Sequence, residues 1–217
     1  MLNLITLTDP RSATAEAMRT LRTNLMFSSV EKPLQTLLIT STASEDGKSE
    51  LIANLAVTFA QSGNKTILVD ADLRKPQQHT LWNLPNQNGL STMMLDDAQL
   101  ANPPLVKIEA VDGLQVLPAG TPPPNPADLL SSQRMNDIIG LLKARAHYIL
   151  FDAPPVLAAT DAPVLGSKLD GILLVIRAGK TRRDHAAKAR QALERVHVRI
   201  LGTALTNAPK ERTIATY

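Results

Sequence analysis

Two hydrophobic rhythms alternate along the chain. Short, dense apolar runs, the pattern of strands buried on both faces, occur at Thr36–Thr40 (TLLIT), Lys65–Asp70 (KTILVD), Leu114–Pro118 (LQVLP), His147–Phe151 (HYILF), Gly171–Ile176 (GILLVI) and Arg199–Leu205. Between them apolar residues recur every three or four positions, the period of a helix packed on one side. Ala13–Ser28 puts Ala17, Leu21, Leu25 and Met26 on one stripe, with Asp9-Pro10 as its start signal. After the first strand, Leu51, Ile52, Leu55, Ala56 and Phe59 repeat the pattern; Met135, Ile138, Ile139 and Leu142 do so within Ser131–Ala146. Thr181–Val196 reads as another helix and Gly89–Leu95 as a short one. Gly63-Asn64 is a turn, and Gly120–Pro126 (GTPPPNP) a stiff connection. Strands alternating with helices require right-handed crossovers. They predict a doubly wound, mostly parallel α/β sheet flanked by helices, with ligands at the carboxyl ends of the strands.

Composition narrows this picture only slightly. A length of 217 residues predicts one domain over 1–209, followed by a polar, flexible tail at 210–217. An apolar content of 44% suffices for a core, and 3% aromatics makes that core aliphatic. With no cysteine, disulfides and thiolate metal sites are excluded; four scattered histidines argue against zinc. A net charge of +3 is too mild to indicate nucleic acid. No apolar run approaches membrane-spanning length and the N-terminus lacks a signal-peptide pattern, so a cytoplasmic protein is expected.

The chemistry concentrates where the first strand ends. Ser41–Lys48 (STASEDGK), closed by Ser49, joins a strand to a helix through a loop ending in Gly-Lys-Ser. This is the layout of a P-loop: backbone N–H groups and the helix's positive end face an anion, Lys48 reaches the terminal phosphates, and the Ser49 hydroxyl ligates Mg²⁺. An ordinary helix start with Ser and Asp caps would read similarly. Three aspartates at two further strand ends add weight. Asp70 and Asp72 follow ILV, and Asp152 follows YILF. Any one could be a cap or turn residue, but three beside a P-loop are better explained by Mg²⁺ and water positioning.

With these residues in place, the chain resembles the cytoplasmic kinase domain of bacterial tyrosine kinases. These are the polysaccharide-linked autokinases of capsule and exopolysaccharide systems, a P-loop family related to division and partition ATPases. The carrying segments run in order from Asp9 to about Pro209: EAMRTLRTN (Glu16–Asn24), the P-loop, ILVDADLRKP (Ile67–Pro76), PPNPADLLS (Pro123–Ser131) and ILFDAPPVLAATDA (Ile149–Ala162). The resemblance implies ATP and Mg²⁺ as cofactors and a nucleotide site at Ser44, Glu45, Asp46, Gly47, Lys48, Ser49 and Glu50, with Asn207 near the adenine. An Asn ending a strand at a turn reads equally well at 207. It implies Lys48, Asp70 and Asp72 as catalytic residues, and Ser49, Asp70 and Asp152 around the metal. Glu16, Arg19 and Arg22 (ExxRxxR) would be a self-association surface, building a ring or dimer, on a helix over 11–28. Spacing alone gives only a solvated helix face. Tyr217 would be the phosphoacceptor, and a transmembrane polysaccharide co-polymerase would activate the kinase and recruit it to the inner face of the membrane. The related ATPases carry an extra lysine five residues before the invariant one. Ala43 stands there, which favours the kinase branch.

Three features depart from the family pattern. Thr42 and Glu45 occupy positions where Gly or another small residue is common. Glu45 adds an anion beside an anion, so Glu45→Gly is expected to tighten ATP binding; an unchanged affinity would show that the carboxylate points away. Only two tyrosines occur: Tyr148, expected to be buried in its strand, and Tyr217. A nucleotide-switched ATPase, or an inactive adaptor acting by assembly, therefore stays open beside the kinase. Arg177–Arg199 holds eight basic residues, read as a solvated helix face or as a surface for an acidic partner or the membrane.

Overall fold

The computed structural model describes residues 3–28 and 33–209. Its strands are β1 (Thr36–Ser41), β2 (Thr66–Asp70), β3 (Val106–Lys107), β4 (Leu114–Leu117), β5 (Tyr148–Asp152), β6 (Gly171–Arg177) and β7 (Ile200–Thr206). They form one seven-stranded sheet in the order β3-β4-β2-β5-β1-β6-β7. All neighbours are parallel except β3, which pairs antiparallel with β4 at one edge. The helices are α1 (Ile5–Thr8), α2 (Ala13–Phe27), α3 (Lys48–Gln61), α4 (Gln78–Trp82), α5 (Leu90–Leu95), α6 (Asp97–Ala101), α7 (Pro126–Ser131), α8 (Gln133–Lys143), α9 (Asp161–Gly166) and α10 (Arg183–Glu194).

Strand side chains alternate between two aliphatic cores. Leu37 and Ile39 of β1, Leu68, Leu150, Leu173 and Val175 face α3 and α2; Leu38, Ile67, Val69, Ile149, Phe151 and Ile172 face α8, α9 and α10. Every residue of β1 and β2 is buried, as the uninterrupted apolar runs require. The expected strands and long helices are present, and the doubly wound architecture is as predicted.

Several local expectations need correction. The α2 start signal is Ser12, whose side chain accepts from the Ala15 N–H, rather than Asp9-Pro10. The stripe of α2 turned inward is Ala15, Met18, Leu21 and Leu25, while Ala17 and Met26 are exposed. This rotation carries Arg22 toward α3, where its Nη1 donates to the Thr58 carbonyl at 2.8 Å. The helix expected over Ser131–Ala146 is α8, capped by Ser132 accepting from the Met135 N–H, and a further short helix, α7, opened by Pro126, precedes it. Tyr148 is half-buried rather than buried. It opens β5 at the end of the sheet opposite Asp152, with its ring centroid 4.5 Å from that of Phe59. Tyr217 and the expected tail at 210–217 lie outside the described residues. Among the described residues, no helix is long and apolar enough to cross a membrane.

Candidate active site

The central strand β1 delivers the loop 42–47 to the carboxyl edge of the sheet, and Lys48 opens α3. Two residues of the loop are left-handed, Glu45 (φ 68°) and Gly47 (φ 81°), which turns the backbone sharply into the helix. Asp46 braces the turn: its carboxylate accepts from the Ala43 N–H at 3.0 Å and from Thr181 Oγ1 at 3.2 Å. The Asp46 side chain therefore serves the loop itself. The Asp46 carbonyl accepts from Thr206 Oγ1, tying the loop to β7. The first N–H groups of α3 have no partner within the helix and face the open edge.

Glu45 does not face into this cradle. Its carboxylate sits 2.6 Å from Lys180 Nζ with the side chain 75% exposed, and its carbonyl accepts from Arg177. The hydrogen bond and charge of Lys180 hold that carboxyl below the usual range. The anticipated clash with phosphates is thus diverted to the basic β6–α10 connection. Thr42 is fully buried, its N–H donates to Val175, and its hydroxyl has no partner.

The Lys48 amine is the hub. It lies 2.9 Å from Asp152 Oδ1, 3.0 Å from Asp72 Oδ2 and 3.1 Å from Ser49 Oγ. Burial lowers the amine's proton affinity, but the charges of Asp152 and Asp72 more than reverse this and hold it above its ordinary value. Asp70 pairs in register with Asp152 across β2 and β5. Its Oδ2 accepts from the N–H groups of Gln77 (3.0 Å) and Gln78 (2.8 Å). Burial and then the neighbouring Asp152 charge push its carboxyl up to about 8, against the Gln78 hydrogen bond and Lys48. Asp72 is anchored a second time by the Lys75 N–H.

The remaining expected contacts surround the same edge. Asn207, left-handed at φ 53°, lines with Gly47, Glu50, Met18 and Leu205 a groove of about 580 Å³ running from the loop toward α2. Ser44 is exposed on the loop and Glu50 on the first turn of α3. Glu16 and Arg19 pair with each other on the outer side of α2 at 2.7 Å, whereas Arg22 is engaged with α3. Among the described residues no group of three or more metal-type side chains forms a ready metal cage. The donor set still suits Mg²⁺, which takes one or two carboxylates and leaves its other positions to phosphate and water oxygens. Ser49 Oγ and the Asp152 carboxylate, both within reach of one ammonium, are donors of that kind.

Two contacts were invisible in the sequence. Gln78, fully buried, donates from Nε2 to Asp152 Oδ2 at 2.7 Å and to the Ser49 carbonyl at 3.1 Å. Arg74 makes a bidentate pair with the fully buried Asp161 at 2.8 and 2.9 Å, joining the segment after β2 to α9. Both connect segments far apart in the chain and leave no local pattern.

Comparison with known proteins shows the family. Residues 37–211 match the family model of the CobQ/CobB/MinD/ParA nucleotide binding domain. The chain is 43% identical to the tyrosine-protein kinase YwqD of Bacillus subtilis, over 96% of this chain and 86% of that protein. It is 34% identical to the tyrosine-protein kinase CpsD of Streptococcus agalactiae, over 94% of this chain and 87% of that one. The kinase domain of the Escherichia coli tyrosine kinase ETK superimposes with a TM-score of 0.90 at 30% identity, covering 100% of this chain and 84% of that one. A lysine held between strand-end carboxylates at the head of α3, on this sheet and with these relatives, places the chain among the bacterial tyrosine-protein kinases, within the CobQ/CobB/MinD/ParA nucleotide-binding family.

Proposed function

We propose that the chain is an ATP- and Mg²⁺-dependent tyrosine autokinase that regulates capsular or exopolysaccharide synthesis or export. The observation that carries this is the meeting of the Lys48 amine with Asp72, Asp152 and Ser49 at 2.9–3.1 Å at the N-terminus of α3. Phosphoryl transfer is mostly positioning and charge neutralisation, and this site holds the groups for both.

In this reading the loop from Ser44 to Glu50 cradles the phosphates, and Asn207 flanks the base. Lys48 exchanges its two carboxylates for the β- and γ-phosphate oxygens. Ser49 and Asp152, with Asp70, would hold Mg²⁺, which supplies charge neutralisation on the transferred group. Asp70 and Asp72 orient the acceptor phenol and take its proton as the new O–P bond forms and the bond to ADP breaks. The acceptor is Tyr217, delivered by a neighbouring copy. Glu16 and Arg19, paired on an exposed helix face, support self-association there, with Arg22 setting the packing of that helix. A transmembrane polysaccharide co-polymerase recruits the cytoplasmic kinase to the inner face of the membrane.

The test is incubation with ATP and Mg²⁺ followed by anti-phosphotyrosine detection on wild type, Lys48→Met and Tyr217→Phe. Signal in wild type and loss in both variants is the expected result. ADP release without phosphotyrosine would make the chain an ATPase; neither product would make it an adaptor.

A further inference from the structure

The roles assigned above leave the buried side-chain amide of Gln78 at the site without a task. It opens α4, is 0% exposed, and joins its own helix to three other segments. Nε2 donates to Asp152 Oδ2 on β5 (2.7 Å) and to the Ser49 carbonyl on α3 (3.1 Å). Oε1 accepts from the indole N–H of Trp82 at 3.2 Å, while the backbone N–H donates to Asp70 on β2. The orientation of the amide is dictated by its partners. An indole only donates and a carboxylate only accepts, so oxygen must face Trp82 and nitrogen must face Asp152.

Together these contacts divide the Asp152 carboxylate between two holders. Oδ1 belongs to Lys48 and Oδ2 to Gln78. When Lys48 turns to phosphate, Oδ1 is released and Oδ2 stays tethered. The same nitrogen grips the carbonyl of Ser49, whose hydroxyl is the second protein oxygen assigned to the metal. We infer that Gln78 is a positioning residue that fixes the separation of Ser49 and Asp152, so that both meet Mg²⁺ without reorganising. Trp82, the one tryptophan of the chain, locks the amide's orientation and reports its state. Partners one bond removed from a metal typically alter its affinity 10–100-fold when lost. This inference rests on the nucleotide reading of the site.

The experiment measures ADP affinity by calorimetry with Mg²⁺ and with EDTA, together with Trp82 emission, for wild type, Gln78→Met and Gln78→Glu. Wild type should bind more tightly with Mg²⁺ and change its emission as it does so. Gln78→Met, similar in size but without the amide, should keep its EDTA affinity within about twofold and lose about tenfold of the Mg²⁺-dependent gain. Its emission should no longer respond to Mg²⁺. Gln78→Glu keeps the acceptor for Trp82 but sets a carboxylate against Asp152 and the Ser49 carbonyl, so its gain should fall further. It carries the same comparison should the methionine variant not fold. A Mg²⁺-dependent gain preserved in these variants overturns the inference, as does equal weakening with and without Mg²⁺, which would mark Gln78 as merely structural. Absence of ADP binding by wild type overturns the nucleotide reading itself.

Discussion

Besides the phosphate-binding role proposed for it, Lys48 has a structural role, which predicts the more unexpected phenotype. Without nucleotide its ammonium is the charge that compensates Asp72 and Asp152, which are 4% and 0% exposed. Removing one partner of a buried pair is far more damaging than the pair's net worth, because the other charge stays behind. Lys48→Met should therefore lower the unfolding free energy of the nucleotide-free protein by about 3 kcal/mol in urea, besides abolishing transfer. Asp70 gives the opposite sign. Its folded proton affinity lies above the ordinary value of 3.8, at about 8, so its contribution to stability is full below about pH 4 and is lost as pH rises toward 8. Asp70→Asn should thus be more stable than wild type at pH 8, with the advantage shrinking toward pH 4. Urea midpoints across that range check it, and an advantage independent of pH would refute the assignment. Glu45 corrects the expectation formed from its position in the loop. With its carboxylate on Lys180 in solvent, Glu45→Gly should change ADP affinity by less than about twofold, since exposed pairs contribute about 0–1 kcal/mol.

Elements were legible in the sequence wherever one hydrophobic period persisted for a full strand or several helical turns. ILVD and YILFD could be read as strands ending in carboxylates, and their register does set Asp70 beside Asp152. Short pieces were not legible: β3 has two residues and α1 four, too few to show any period. The inward stripe of α2 was misplaced because Ala17 and Met26 fit the apolar pattern, while the partner, α3, selects Ala15 and Met18. Gln78 and the Arg74–Asp161 pair could not be read at all, because their partners are separated by 74 and 87 residues. That ion pair ties the segment after β2 to α9. Arg74→Ala would leave the carboxylate of Asp161 buried and alone; with the arginine itself 44% exposed, a loss of about 1–2 kcal/mol is expected in chemical denaturation. A tighter constraint lies at the start of α5. A Cβ on Gly89 would stand 2.1 Å from the Pro118 carbonyl oxygen and 2.4 Å from the Gly120 nitrogen, both backbone atoms.

At the scale of the whole molecule the two ends of the sheet are built differently. The carboxyl end gathers left-handed residues, a buried hydroxyl without a partner and carboxylates sharing one ammonium, all arrangements that a bound anion and cation can rearrange. The amino end is knotted by ordinary hydrogen bonds. Asp170, just before β6, accepts from the N–H groups of Gln35 and Thr36, from Thr36 Oγ1 and from Lys143 Nζ, while Gln35 ties the end of α8 through the carbonyls of Lys143 and Ala146. Burial there works against the Asp170 charge, yet the Thr36 and Gln35 donors prevail and hold its carboxyl below 3.8. A lowered folded value means that the stabilisation is present above about pH 4 and disappears as pH falls through the folded value. Asp170→Ala should consequently cost about 2 kcal/mol at pH 7, a gap that narrows steadily below pH 4. Because this anchor stands at the far end of β6 from the loop 42–47, ADP affinity measured on the folded variant should match wild type. A variant that lost nucleotide affinity in step with stability would show instead that the two ends of the sheet act as one unit, and that the carboxyl edge depends on the knot beneath it.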